Sequence, residues 1–219
     1  MDMRALFLQP CYGECTLKTD STSQFWRTFF QPENSLSYEY SGGLTGSMAG
    51  KNPYIDMTAN TGVVDMIISG NLGIIEYCVF GEYDSIISVD LSDFWNAKIL
   101  EIIQSSLTSI DVSNNKKLEK ITLTKCDISY IDLSVNNSLK TLILLETKIT
   151  SIIFPTSSKI NFLDLTLCTV ISSTELDAII IDLDNTGVTD GFFGLPTATR
   201  TSASDTAYNS LISKNWRIQ

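Results

Sequence analysis

From residue 67 to 171 the apolar positions of the chain return with a period of 21 residues. Leu100, Ile121, Leu142 and Leu163 form one column, and Ile102, Leu123, Leu144 and Leu165 form the next. Ser105, Cys126, Thr147 and Cys168 follow, then Leu107, Ile128, Ile149 and Val170. Ala97, Leu118, Leu139 and Ile160 make a further column. Val89-Asp90-Leu91-Ser92 comes back as Ile110-Asp111-Val112-Ser113 and Ile131-Asp132-Leu133-Ser134, and Ile152-Ile153-Phe154-Pro155 keeps the register. Val79, Ile86 and Val89 fit an incomplete earlier copy. Self-similarity of this depth marks a repeat architecture.

Each copy reads L-x-x-L-x-L-x-x-C/T-x-I-x-x-I-D-L-S-x-N. The alternation in L-x-L predicts a strand with one buried face. One copy cannot bury that face alone, so neighbours must stack, about 4.8 Å apart, into a continuous core. A 21-residue copy is too short to carry a helix on its return side. The β-prone Ile-Asp-Leu-Ser block predicts a second, short-stranded ladder there instead.

The repeat resembles the bacterial leucine-rich repeats of the internalin type, in the 21-residue variety that carries Cys or Thr where others carry Asn. The resemblance covers residues 67–171, about half the chain. It implies a mainly β fold: a short right-handed leucine-rich-repeat solenoid whose parallel strands line a concave face.

After residue 171 the period breaks, leaving 172–219 as a C-terminal cap. Ser172-Ser173-Thr174-Glu175 reads as a capping box, and Leu176, Ile179, Ile180 and Leu183 then fall on one helical face. Asn185-Thr186-Gly187 ends that helix, and a Gly-rich loop follows. A second helix is expected from Ser204 to Lys214, burying Ala207, Leu211 and Ile212, and then a last strand, Trp216-Arg217-Ile218. This order is similar to the caps of leucine-rich-repeat proteins in tailed phages and their hosts. Gly is usual there before the Trp; Asn215 is the other residue that tolerates left-handed backbone.

Residues 1–66 do not repeat and hold Phe25, Trp26, Phe29, Phe30, Tyr38, Tyr40 and Tyr54. They are expected to cover the first apolar layer, to dock the repeats onto a larger assembly, or both. A short helix is expected over Gln24–Phe30 and a turn-rich loop over Gly42–Asn52.

On the strands, the positions between core residues must face outward. Ile99, Lys120, Thr141 and Phe162 form one outward column, and Glu101, Thr122, Ile143 and Asp164 the second. Ile103, Thr124, Leu145 and Thr166 form the third. Solvent-facing strand positions are normally polar, yet Ile99, Ile103, Ile143, Leu145 and Phe162 are not. Apolar residues among Thr and acids suit a surface that another molecule covers. The candidate binding residues are therefore Ile99, Ile103, Lys120, Thr122, Ile143, Leu145, Phe162 and Asp164. The other reading is that a terminal segment of the same chain lies over them.

Composition narrows the chemistry. Hydrophobic residues make up 43% of 219 positions, enough for one large domain or a main domain with smaller end pieces. The longest apolar runs, such as Ala178-Ile179-Ile180-Ile181, are far too short to span a bilayer. The start, with acidic Asp2 and no basic stretch, does not read as a signal peptide. A net charge of −10 repels phosphate backbones, so nucleic acid is not an expected partner.

There is no histidine, which removes Ser-His-Asp and Cys-His catalysis and His-containing zinc sites. The five cysteines are an odd count, against a complete disulfide framework. Cys126 and Cys168 lie two repeats apart, about 10 Å by stacking, too far to bridge. They read as small core fillers. Cys11-x-x-x-Cys15 has ligand-like spacing without a second pair.

The stretch Asp182 to Asp190 opens like a calcium loop but has Phe193 where the bidentate Glu belongs. A helix end with its turn is the expected structure. The stacked Asp90, Asp111 and Asp132 suit acceptance of nearby backbone N–H groups better than cation chelation. No cofactor or metal is expected. The reading that collects these points is a non-enzymatic structural or binding module of a phage virion, a tail or head appendage. It would assemble with other virion proteins or copies of itself, or attach to a host-surface glycan or protein. A bacterial surface or secreted adhesin is the alternative, and a polysaccharide-acting enzyme comes third.

Overall fold

A computed structural model describes residues 76, 78, 80 and 86–219 in full, and the strand backbones at 13–19, 26–29, 36–40, 45–48, 54–55, 64–70 and 77–81. The early strands are β1 (Gly13–Thr19), β2 (Trp26–Phe29), β3 (Leu36–Tyr40), β4 (Thr45–Met48), β5 (Tyr54–Ile55), β6 (Val64–Gly70), β7 (Tyr77–Gly81) and β8 (Ile86–Val89). The repeats supply β9 (Ile99–Ser105), β10 (Lys120–Cys126), β11 (Tyr130–Asp132), β12 (Thr141–Ile143), β13 (Ser151–Ile153) and β14 (Phe162–Asp164). Helix α1 (Ser173–Asn185), β15 (Phe192–Gly194), helix α2 (Asp205–Ser213) and β16 (Arg217–Ile218) complete the chain. The fold is mainly β, built on parallel strands with two short helices.

The large sheet runs β16-β15-β14-β12-β10-β9-β7-β2-β5. From β7 to β16 every neighbouring pair is parallel. Its register follows the repeat: Ile99 faces Lys120, Lys120 faces Thr141 and Thr141 faces Phe162, each 21 residues on. Along β9 and β10 burial alternates as far as Ile103 and Thr124, as the L-x-L pattern requires, and slips by one at left-handed Gln104 and Lys125. Leu100, Ile102, Ile121, Leu123, Leu142, Leu144, Leu163 and Leu165 all lie in one core. Ser105, Cys126, Thr147 and Cys168 are buried beside them.

Two positions need correction. Val79 stands opposite Glu101, and buried Cys78 takes the place opposite Leu100. Val170, aligned with Leu107, Ile128 and Ile149, is 46% exposed, and Ile171 is buried in its neighbourhood instead. The chain is already turning toward the cap of α1 at Ser172, so the period ends before residue 170 and shifts the inward position by one.

Two further devices repeat with the strands. Asp90, Asp111 and Asp132 each accept the backbone N–H two residues ahead, from Ser92, Ser113 and Ser134, at 2.8–2.9 Å. The Ser113 and Ser134 bonds hold the Asp111 and Asp132 carboxyls below the usual carboxylate range. The Asn closing the Asp111 and Asp132 blocks is buried: Asn115 Nδ2 donates to Leu91 O and Phe94 O, and Asn136 Nδ2 to Val112 O and Asn115 O. Each amide thus ties its turn to the turn of the preceding copy. Left-handed backbone also recurs, at Gln104, Lys125, Glu146 and Leu167, with φ of 53–64°.

The second ladder pairs only β11 with β13 among the described residues. Its expected counterpart β8 pairs instead with β1, antiparallel, in a separate sheet ordered β4-β3-β6-β1-β8. In the early region β2 is a strand where a Gln24–Phe30 helix was expected. It lies between β7 and β5, whose ladders satisfy its backbone and override the local helical pattern. The Gly42–Asn52 segment, expected as loop, contains β4. Strand β6 crosses the boundary drawn at 66/67. Cys11 and the Cys15 side chain lie outside the described residues.

The cap follows its sequence signals closely. Ser172 Oγ accepts from Glu175 N at 3.1 Å, and Leu176, Ile179, Ile180 and Leu183 are buried. Only half of the capping box forms, because the Glu175 carboxylate turns away to accept from Ile152 N at 3.1 Å and closes the edge of β13. Asp182 and Asp184 sit in α1, whose end at Asn185 is followed by Gly187 at φ 71°, so the stretch is a helix end and its turn. Asp184 takes the Lys214 ammonium at 2.6 Å. Asn215 is left-handed at φ 64°, and Trp216 is buried. Ile212, expected inside, is 49% exposed; α2 buries Ala207 and Leu211 instead.

Candidate functional site

The eight candidate residues share one side of the parallel sheet. Ile99 and Ile103 lie on β9, Lys120 and Thr122 on β10, Ile143 on β12, and Phe162 and Asp164 on β14. All are half-buried, while the residues between them are core. Leu145 is half-buried as well but lies past the end of β12, which stops at Ile143, and Thr166 likewise lies past β14. The third outward column is therefore strand in the first two copies and turn in the later ones. The outer face narrows from three positions to two along the stack.

The charges on this face fall into two states. Lys120 Nζ meets Glu101 Oε1 at 2.5 Å across neighbouring strands, a partly exposed pair worth about 0–1 kcal/mol. Asp164 forms no ion pair with a described residue. Its Oδ1 accepts from Thr166 N at 3.0 Å and from Thr166 Oγ1 at 2.6 Å, so the next turn fixes the carboxylate. Thr122 Oγ1 is buried without a hydrogen-bond partner among the described residues.

Two residues of the face were not foreseen. Strand β15 carries Phe192 and Gly194 into register with Phe162 and Asp164. Phe162 and Phe192 stack with ring centroids 4.6 Å apart and planes at 21°. Stacking of this kind contributes about 0.5–1.5 kcal/mol beyond burial. Gly194 has no room for a side chain: a Cβ there would lie 2.3 Å from Asp164 Oδ1. The signal available in the sequence was Phe192-Phe193-Gly194, a short β-prone run inside the Gly-rich loop. The apolar patch thus continues onto β15 through Phe192.

Glu101 and Asp164 stand in one column three strands apart, roughly 14 Å by register. Paired glycosidase carboxylates need about 5–10 Å. Among the described residues, no group of three or more Cys, Asp or Glu side chains gathers as a metal site. Compared with protein-family models, curated proteins and solved structures, the chain matches none.

Proposed function

We propose that residues 67–171 form a short right-handed leucine-rich-repeat solenoid and that its concave side, the outer face of the parallel sheet, is a protein-binding surface. The observation that carries this is the half-buried apolar set Ile99, Ile103, Ile143 and Leu145 on the side opposite the core. Apolar residues at outward positions stay soluble more cheaply when another molecule covers them. The chain has no histidine to serve as a base, and the two face carboxylates stand far apart. The unbroken 21-residue register supports a stiff scaffold.

The setting we propose is a phage virion, in a tail or head appendage, with other virion proteins or further copies of this chain as partners. The left-handed Asn215 before buried Trp216 supports the cap resemblance on which that setting rests. Protein mass spectrometry of purified particles tests it. The chain at a fixed copy number per particle is the expected result, and its presence only in the unassembled fraction would remove the virion setting.

A further inference from the structure

Any partner that covers Ile143 and Leu145 must also cover Asp164. Ile143 and Asp164 are direct cross-strand neighbours, and Phe162 stands two residues away on the same face. The Asp164 carboxylate is held in place. Oδ1 takes both Thr166 donors, and Gly194 leaves the space into which the carboxylate folds. Oδ2 has no hydrogen-bond partner among the described side chains and backbone groups. By register the nearest positive residues of this face are Lys120 and Arg217, each two strands away and level with Phe162 rather than Asp164; Lys120 Nζ meets Glu101 Oε1 at 2.5 Å, and Arg217 Nε donates to Gln219 Oε1 at 3.2 Å.

A neutral apolar segment laid over this patch would strip water from an unpaired carboxylate, which is strongly unfavourable. A segment carrying an ammonium or guanidinium would replace that water with an opposite charge. Preorganisation strengthens the preference, because no side-chain ordering is needed to present the oxygen. We infer that the segment seated on this face brings a basic side chain, flanked by apolar residues, to Asp164. The inference rests on the outer face being a binding surface, and it adds the chemistry of what binds.

The test uses the full chain, labelled with nitrogen-15, and two acetylated tripeptide amides, Leu-Arg-Leu and Leu-citrulline-Leu. Citrulline keeps the shape of arginine and removes the charge. Backbone amide shifts of Thr166 and Gly194 are followed during titration of each peptide. The arginine peptide is expected to move both signals saturably, with about tenfold weaker binding for the citrulline peptide and for Asp164→Asn, a loss of about 1.4 kcal/mol. Asp164→Asn keeps an oxygen for the Thr166 donors, so the fold should persist, and the citrulline arm needs no substitution at all. Equal affinity of the two peptides on wild-type protein overturns the inference and leaves the face as a binding surface. No shift at any outer-face amide with either peptide overturns both.

Discussion

Gly191 and Trp216 exclude any side chain between them: a Cβ on Gly191 would lie 2.4 Å from Trp216 Cε2. The indole is buried and donates its Nε1–H to Val188 O at 2.8 Å, so it cannot swing aside without losing that bond. Gly191→Ala should therefore destabilise by about 1–3 kcal/mol through overpacking. Chemical denaturation checks this. A melting curve superimposable on wild type would mean that Trp216 does not seat against residue 191.

The register of the repeat makes a paired prediction. Leu123 is fully buried and Thr122, one residue earlier, belongs to the outer face. Leu123→Asp places an unpartnered charge between stacked strands and should cost about 4 kcal/mol or more. Thr122→Asp, on the half-buried outer face, should cost clearly less. Equal thermal midpoints for the two variants would contradict the alternation.

Cys126 and Cys168 should be inert in the folded chain. Burial pushes both thiols up, and each sulfur sits against a hydroxyl of the preceding copy, Ser105 Oγ at 3.3 Å and Thr147 Oγ1 at 3.4 Å. The thiolate is the reactive form, and both burial and the raised pKa suppress it at neutral pH. Alkylation followed by peptide mass spectrometry should find both sites unlabelled before denaturation and labelled after it. Rapid native labelling of either thiol, or a Cys126–Cys168 bridge, would contradict the assigned columns.

Acid should loosen the cap through Asp177. This buried carboxylate of α1 accepts from Ser204 Oγ at 2.5 Å and from Thr201 N and Oγ1 at 3.0 and 2.5 Å. The Ser204 and then the Thr201 hydrogen bonds hold its carboxyl below the usual carboxylate range. A depressed folded pKa means that the stabilisation is complete above the unfolded value, about pH 4. It is lost as pH falls through the lower, folded value. Between pH 5 and 2 the thermal midpoint of wild type should fall more steeply than that of Asp177→Asn. Parallel slopes would show that Asp177 is not the titrating latch.

What was legible in the sequence was whatever stacking forces on every copy. Leu100 to Leu163 had to be inside because one period-21 column cannot serve two faces. The Asp111 turn was legible because its acceptor and donor lie two residues apart. The left-handed column was not, since Gln104, Lys125, Glu146 and Leu167 are not residue types that favour that backbone. There the neighbouring copy imposes the conformation: Lys125 N donates to Leu145 O and Glu146 N to Thr166 O. The outward positions of the strands follow from the alternation as far as Asp164. Phe192 and Gly194 join it only after the chain has passed through α1, so no local period announces them. Strand β2 failed for the same reason, its partners β5 and β7 being distant in sequence.

The proposed function requires the apolar outer face to be available to a partner and not part of this chain's own core. Thermal denaturation of the double variant Ile143→Lys with Leu145→Glu tests it most directly. Both positions are half-buried and outward, and a lysine at 143 would stand beside Asp164 across the strand pair. A midpoint within about 2 °C of wild type is expected, as for surface substitutions. A fall of about 10 °C, the size expected when core positions receive charges, would contradict it and place Ile143 and Leu145 beneath another segment of the same chain.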